Sequence, residues 1–260
     1  MSDEAESNEL FLWEEVEETD PKYTKTSDYG AKLTSINAAY LMKKATAIWG
    51  PFGDKWGASV NEERYEKGHC PTITGQDGSI ITLDPIQNHT CIIDFFYPNS
   101  EGEKITFKQY GHTAFITYNT TYNNYTTDFE APKKSFTDAI KKALSMLGFG
   151  GDIHMGEFDQ VGYQDALKTK IEIDESLDKV AISSEKLEEF IDWFDKETAV
   201  YEIIPNQSGL KLTNDRHRQQ IKLKCAAIGA DHTKLLEKQS RLMAEAVQSL
   251  KSKEESNNGQ

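Results

Sequence analysis

Residues 137–148 read Thr-Asp-Ala-Ile-Lys-Lys-Ala-Leu-Ser-Met-Leu-Gly, and this segment decides the fold. At 100° per residue its apolar side chains fall on one face of a helix, whereas Lys142 and Ser145 point away and Lys141 lies at the border. Ser135 or Thr137 is placed to cap the N-terminus, and the glycines of 148–151 end the helix. The apolar face comprises Ile140, Ala143, Leu144 and Leu147. The pattern predicts an amphipathic helix that covers another layer.

The residues before this helix change to the period of strands. Short runs rich in β-branched and aromatic residues alternate with turns that contain Gly, Asn or Pro. Sequential strands with short links are typical of an antiparallel meander. The predicted strands are 57–64, 79–83, 90–97 and 104–110, and 118–127 is predicted to be a polar, tyrosine-rich hairpin tip. We therefore predict an α+β fold, in which the amphipathic helix crosses an antiparallel β-meander.

A second helix is predicted upstream of the meander, over residues 34–49. Its apolar side chains recur at helical spacing, with Lys43 on the opposite side and Tyr40 at its flank. Gly50 and Pro51 oppose its continuation. The repeating apolar residues are Ala38, Leu41, Ala45 and Ile48.

Three regions follow from these patterns. Residues 1–20 hold nine acids and no base and are predicted to be a flexible arm. Residues 21–170 form the predicted core domain. Residues 171–260 are predicted to be mostly helical, with an acidic helix at 184–197, basic helices at 214–228 and 231–251, and a disordered end from 253.

Charge is distributed unevenly along the chain. The net charge is −14, yet residues 211–253 hold ten bases and four acids. Exposed charges more than about 10 Å apart are largely screened at ~0.1 M salt, so an acidic protein can still carry an anion-binding surface. The three cysteines have no disulfide-framework spacing, no signal sequence opens the chain, and no apolar run is long enough to span a membrane. We expect a cytoplasmic protein without membrane contact.

Several kinds of chemistry are weakly indicated. Neither glycine-rich segment ends in the Gly-Lys-Ser/Thr that a phosphate-binding loop needs, which argues against ATP hydrolysis. His69-Cys70 with His89-x-Cys91 is a candidate zinc site, although adjacent ligands do not easily reach one ion. Acid pairs at 157/159 and 174/175 are candidate magnesium ligands of a nuclease. Ordinary packing and acidic surface are the commoner explanations of both patterns.

The lysines around the first helix indicate a different chemistry. Lys133, Lys134, Lys141 and Lys142 straddle the predicted helix start, where free amide groups and the helix dipole favour an anion. Contacts of this kind give sequence-independent affinity for phosphates, and nearby aromatic rings add base stacking. The aromatic candidates are Phe52, Tyr118, Tyr122 and Tyr125. The alternative is that the lysines only make a helix face soluble.

Two segments resemble the single-strand annealing superfamily that includes phage Sak and Erf proteins and the recombination mediator Rad-fifty-two. Residues 35–57 (Ser-Ile-Asn-Ala-Ala-Tyr-Leu-Met-Lys-Lys-Ala-Thr-Ala-Ile-Trp-Gly-Pro-Phe-Gly-Asp-Lys-Trp-Gly) are similar to its first helix, aromatic turn and following strand. Residues 136–148 are similar to its Thr-Asp-x-Leu/Ile-Lys-Lys/Arg-Ala-Leu helix. Gly156-Glu-Phe-Asp resembles a short strand and turn of the phage branch. The resemblance spans roughly residues 22–165.

The resemblance implies rings or filaments of one protein that hold single-stranded DNA in a positively charged groove and anneal complementary strands without ATP or another cofactor. Lys141 and Lys142 match the paired basic residues on the family's helix, and Lys133 matches a basic residue just before that helix. Phe52 and Lys55 lie in its aromatic turn. The sequence departs from the family at Ser145 and Tyr40, where some members have basic residues, and Lys43 and Lys44 are candidates to compensate.

The expected function is ATP-independent binding and annealing of single-stranded DNA in phage recombination, without bond chemistry, in the cytoplasm of a bacterial host. A protein that protects or scaffolds single strands without annealing them is the main alternative, and a metal-dependent nuclease is a third. The region from 171 onward is expected to pack on the core, to join neighbouring subunits or to recruit a single-strand binding protein. An exonuclease is a further candidate partner.

The candidate DNA-binding residues are Lys133, Lys134, Lys141, Lys142, Lys43, Phe52, Lys55 and Tyr40.

Overall fold

The computed structural model describes residues 10–27 and 33–258. Within these ranges the chain divides into two compact units, residues 10–19 with 23–154 and residues 20–22 with 155–258. The division at 154/155 precedes the predicted domain boundary near 170. The cause is the helix Tyr163–Glu175, whose buried Ala166, Leu167 and Ile173 belong to the second unit.

The first unit has the predicted α+β architecture. Its helices are α1 (Phe11–Val16), α2 (Ala38–Trp49), α3 (Ala131–Ser145) and α4 (Gly151–His154). Its strands are β1 (Thr24–Ser27), β2 (Leu33–Ile36), β3 (Gly57–Lys67), β4 (Thr72–Thr74), β5 (Ile80–Thr82), β6 (Gln87–Pro98), β7 (Lys104–Asn119) and β8 (Asn124–Thr127).

A four-stranded antiparallel sheet in the order β3-β6-β7-β8 is the platform of the first unit. The run predicted at 79–83 is not part of it, because β5 pairs with β4 in a separate hairpin between β3 and β6. Residues 34–36, predicted as helix, belong to the strand β2 that pairs with β1, and Asn37 caps α2 by accepting the Ala39 N–H at 2.8 Å.

Gly111 determines how closely α3 lies on the sheet. A Cβ at this position of β7 would stand 1.9 Å from the Ser135 carbonyl oxygen and 2.6 Å from the Ala139 nitrogen, both backbone atoms of α3. Only glycine permits this approach. The hydroxyl of Ser135 donates to the His89 carbonyl oxygen, so this residue joins helix to sheet and does not cap α3.

Three residues of the predicted apolar face, Ile140, Ala143 and Leu144, are buried, whereas α3 ends at Ser145 and Leu147 lies half-buried beyond it. Ile140 and Leu144 are at most 1% exposed and share a core with α2 and the helix-facing side of β6. Phe95 of β6 is fully buried in the same core, next to Trp56. At about 25 cal/mol per Å² of apolar surface, each such side chain stabilises the fold by roughly 1.5–3 kcal/mol.

Residues 10–20 do not behave as the flexible acidic arm that their composition predicts. Val16 is fully buried in the core of the first unit, and Thr19 is fixed by the buried carboxylate of Asp152, which accepts from its amide and its hydroxyl at 2.8 and 2.7 Å. The ammonium group of Lys44 donates to the carbonyl oxygens of residues 16 and 18. Residues 1–9 of the predicted arm lie outside the described residues.

The second unit is helical, as predicted. It contains α5 (Tyr163–Glu175), α6 (Lys179–Ala199), α7 (Gln207–Ile228) and α8 (Thr233–Asn258). Gly156-Glu-Phe-Asp precedes them as a left-handed glycine and a 3-10 turn, not as the short strand that the family resemblance implies. The backbone predicted to be disordered from 253 is helical as far as Asn258.

A polar cluster lies inside this helical unit. His217 and Gln239 are at most 1% exposed, and both contact the hydroxyl group of Tyr201, which is itself buried. The imidazole stacks on the Tyr201 ring with 5.6 Å between centroids. Burial lowers the pKa of His217, and the nearby Glu197 carboxylate opposes that shift.

Across residues 10–27 and 33–258, no helix has both the length and the apolar character needed to cross a membrane.

Candidate nucleic-acid interface

All four lysines of the candidate cluster belong to α3. The helix begins at Ala131, six residues before Thr137, so Lys133 and Lys134 lie in its first turns and not upstream of it. Pro132 lies in the first turn of the helix, where its missing N–H has no cost. Because residues 139, 140, 143 and 144 are buried against the core, the helix presents Lys134, Lys141 and Lys142 outward.

Three of these lysines are paired with carboxylates of the same segment. Lys133 contacts Glu130 at 2.8 Å and Lys142 contacts Asp138 at 2.7 Å. Lys134 pairs with Asp128, and its hydrogen bond is the main reason why the pKa of that carboxyl lies below its ordinary value. The segment 128–142 thus has four lysines and three acids. Its net positive charge is one, less than the lysines alone suggest.

Lys141 differs from its neighbours. Its side chain is half-buried at the border of the helix face, and within residues 33–258 no carboxylate forms an ion pair with it. Ser145, one turn further, donates its hydroxyl to the Lys142 carbonyl oxygen and is no substitute for a cation. The uncompensated positive charge of α3 is therefore centred at Lys141.

Asp138 connects the lysine face to the sheet. One oxygen of its carboxylate accepts from the His112 N–H of β7 at 3.1 Å and from Lys142. This hydrogen bond satisfies an outward-pointing N–H of β7 at the site where α3 crosses that strand. The same carboxylate therefore orders the interface and reduces its positive charge.

Of the candidate residues in α2, one is free to bind DNA and two are engaged in contacts within the first unit. Lys43 is exposed and forms no ion pair within the described part of the chain, so it remains a candidate to bind phosphate. Tyr40 stacks on Tyr23 with 4.4 Å between centroids, which places its ring against another part of the same unit. Lys44 is not available to replace a missing cation, because it holds the 16–18 backbone and burial lowers its pKa.

Phe52 and Lys55 lie in the turn between α2 and β3. Two glycines with positive φ, Gly50 and Gly53, shape this turn. Phe52 is 47% exposed, and its ring is nearly perpendicular to that of Trp56 with 5.1 Å between centroids, so a large part of the side chain is open to solvent. Lys55 is exposed beside it. A turn with an open ring and an adjacent cation is suited to contact a base and its phosphate.

The structure identifies an aromatic residue that the sequence patterns missed. Phe129 directly precedes the first turn of α3 and is 85% exposed, which is unusual for a ring of this size. Of the hairpin tyrosines, Tyr118 and Tyr125 pack against each other and use their hydroxyl groups internally, whereas Tyr122 is 76% exposed. Position beside the lysines, and not periodicity, was the available signal for Phe129.

The metal hypotheses gain no support. No group of three or more His, Cys, Asp or Glu side chains suited to a metal ion occurs in the ranges 10–27 and 33–258. Cys91 is fully buried in the sheet, while Cys70 is exposed. Asp174, from one of the acid pairs, forms an ion pair with Lys179 at 2.9 Å.

Comparison with models of known protein families found no match, and comparison with curated proteins found no relative.

Proposed function

We propose that this chain binds single-stranded DNA and anneals complementary strands without ATP, as a phage-type recombination protein in the cytoplasm of a bacterial host. The observation that carries the proposal is the outward face of α3, where Lys141 is a cation without a carboxylate partner among the described residues. Phe129 and Phe52 supply open rings at the start of α3 and in the turn after α2. Lysines bind phosphates, and aromatic rings stack bases, whatever their sequence.

The internal ion pairs of α3 are compatible with DNA binding. The Lys142 and Lys133 side chains in these pairs are 46% and 79% exposed. Exposed pairs of this kind are worth about 0–1 kcal/mol, whereas charge-assisted hydrogen bonds to phosphate are among the stronger ones. A phosphate can therefore replace a carboxylate at modest cost, so we expect weak binding per subunit.

Weak binding per subunit makes assembly important, and the sheet supports a homo-oligomer. Among the described strands β3 pairs only with β6, and residues 104–113 of β7 also pair only with β6, so neither edge has a second strand beside it, although the N–H groups of Tyr110 and His112 already donate to side chains. Strand β3 carries three glutamates together with Arg64 and Lys67, a net charge of −1, whereas residues 104–113 of β7 carry Lys104 and Lys108 and no acid, a net charge of +2. Edges of opposite charge favour head-to-tail pairing of successive copies, which produces a ring or a filament. Repetition would align the α3 faces of many subunits along one strand.

Measurement of oligo(dT) affinity against salt tests the interface. The K141Q/K142Q variant should bind more weakly, and the log–log salt slope should fall by roughly 0.7 for each phosphate that the variant no longer neutralises. K211Q/K251Q removes the same charge from α7 and α8 and should change affinity much less. Equal reductions of affinity in the two variants would exclude α3 as the interface.

An annealing assay tests the activity itself. Two complementary oligonucleotides should pair faster with the protein than without it, in the absence of ATP and metal. Strand coating without faster pairing would favour the protecting or scaffolding alternative.

A further inference from the structure

Most cations of the C-terminal helices have no carboxylate partner among the described residues. Residues 211–253 hold ten basic side chains. Lys238 pairs with Asp195 at 2.7 Å, and Lys224 lies over the Trp193 ring at 5.1 Å from its centroid. The other eight form no ion pair with the side chains described in residues 10–27 and 34–253. This differs from α3, where three of four lysines are neutralised.

Two of these uncompensated cations face one concavity between α7 and α8. Arg218 of α7 and Arg241 of α8 line a groove of about 690 Å³, which we call the α7–α8 groove. Its volume is within the range of about 300–1,000 Å³ of small-ligand sites. The other lining residues are His232, Thr233, Leu236, Glu237 and Ser240.

The hydroxyl groups of the groove already donate hydrogen bonds within the protein, so the two guanidinium groups are the main donors available to a ligand. The Thr233 hydroxyl donates to Asp231 at 2.7 Å, and the Ser240 hydroxyl donates to the Leu236 carbonyl oxygen at 2.8 Å. Asp231 also accepts the Thr233 N–H, so the N-terminus of α8 is already capped. The helix end is therefore not the binding feature.

The charge balance of the groove favours an anion. Two arginines face a single carboxylate, Glu237, and neither arginine forms an ion pair with it. Arginine presents a planar fork of donors that matches phosphate oxygens in pairs, which lysine cannot do. The next groove of this unit, about 560 Å³ between α6 and α8, is lined by Asp195, Glu202 and Glu245 with two lysines, so it is not selective for anions.

We propose that the α7–α8 groove is a second phosphate-binding site, which takes the phosphodiester backbone of single-stranded DNA between Arg218 and Arg241. This inference rests on the proposed function, since it assigns the helical unit a direct role in holding the strand. Leu236 and His232 also line the groove, and the imidazole ring adds an N–H donor.

The test compares four full-length proteins by anisotropy of labelled oligo(dT) at increasing salt. They are the natural chain, R218Q/R241Q, K141Q/K142Q and the control K211Q/K251Q, whose changed residues lie outside both sites. Each double variant removes two positive charges, so a general charge effect is common to all. Arg218 and Arg241 are exposed, and thermal unfolding should show that their replacement leaves the fold intact.

If the groove holds two phosphates, R218Q/R241Q lowers the salt slope by roughly 1.4 relative to the control, and K141Q/K142Q lowers it by its own separate amount. If R218Q/R241Q equals the control while the natural chain binds DNA, the groove inference is overturned and the proposed function stands. If the natural chain does not bind oligo(dT) at low salt, the proposed function and the inference that rests on it both fail.

Discussion

Replacing Asp138 by asparagine should strengthen DNA binding, although it removes a residue of the proposed interface. Asparagine keeps an oxygen that can accept the His112 N–H, so the hydrogen bond between α3 and β7 survives. Lys142 loses its carboxylate, which is 2.7 Å away in the natural chain. Because that ion pair is largely open to solvent, it is worth about 0.5 kcal/mol, and a phosphate no longer has to displace it.

The removed negative charge adds a second effect of similar size. Unit charges about 7 Å apart in water interact by roughly 0.6 kcal/mol, and ~0.1 M salt screens about half of that. Together the two effects amount to about 0.8 kcal/mol, which corresponds to roughly four-fold tighter binding of oligo(dT). E101Q makes the same change of charge in the β6–β7 turn and should alter affinity less than about two-fold. Unchanged or weaker binding by a folded D138N protein would refute the assignment of α3 as the DNA interface.

Two further predictions concern the supports of the sites. G111A forces a Cβ against the α3 backbone, so urea unfolding should show a decrease of about 3 kcal/mol in the free energy of unfolding, because the core is overpacked and the hydrogen bonds of Ser135 and Asp138 are strained. The control A114S on the same strand should change the free energy of unfolding by less than about 0.5 kcal/mol. A G111A protein of natural stability would mean that α3 does not lie on the sheet as described. His217 has a pKa below its ordinary value because it is buried, so its NMR titration midpoint should lie below 6.5. The helical unit should also lose stability as the pH falls below 6.5, because the unfolded chain then binds the proton more readily than the folded chain. A midpoint above 6.5 would show that the Glu197 carboxylate outweighs burial.

The elements with a strong local period were predictable from the sequence. Apolar residues that recur with a period of 3.6 predicted the buried face of α3 and the existence of α2, α6, α7 and α8. β-Branched and aromatic runs identified the main strands. Local period does not determine partners, so β5 was assigned to the meander although it pairs with β4. The helix α3 also begins earlier than predicted, at Ala131, because proline is compatible with the first turn of a helix and Pro132 therefore does not prevent an earlier start.

Composition was a poor guide where tertiary packing compensates charge. The acidic composition of the N-terminal segment predicts a solvated arm. In the structure Val16 is buried, and the Lys44 ammonium group donates to the Val16 carbonyl oxygen. That contact depends on residues 28 positions apart, which no window of sequence compares. Sequence patterns also could not show that Lys44 is bound to the backbone of residues 16 and 18 and is therefore not available to bind DNA.

The amino-acid sequence alone predicts that a lysine-bearing amphipathic helix covers a strand-rich core, because side-chain hydrophobicity at fixed spacing is sufficient to identify the buried face. It also showed that the C-terminal helices are basic. Only the tertiary structure decided which cations remain uncompensated, since an ion pair depends on where carboxylates come to lie in space. Packing neutralised three lysines of α3, left Lys141 without a partner in the described part of the chain and brought Arg218 and Arg241 to one groove from different helices.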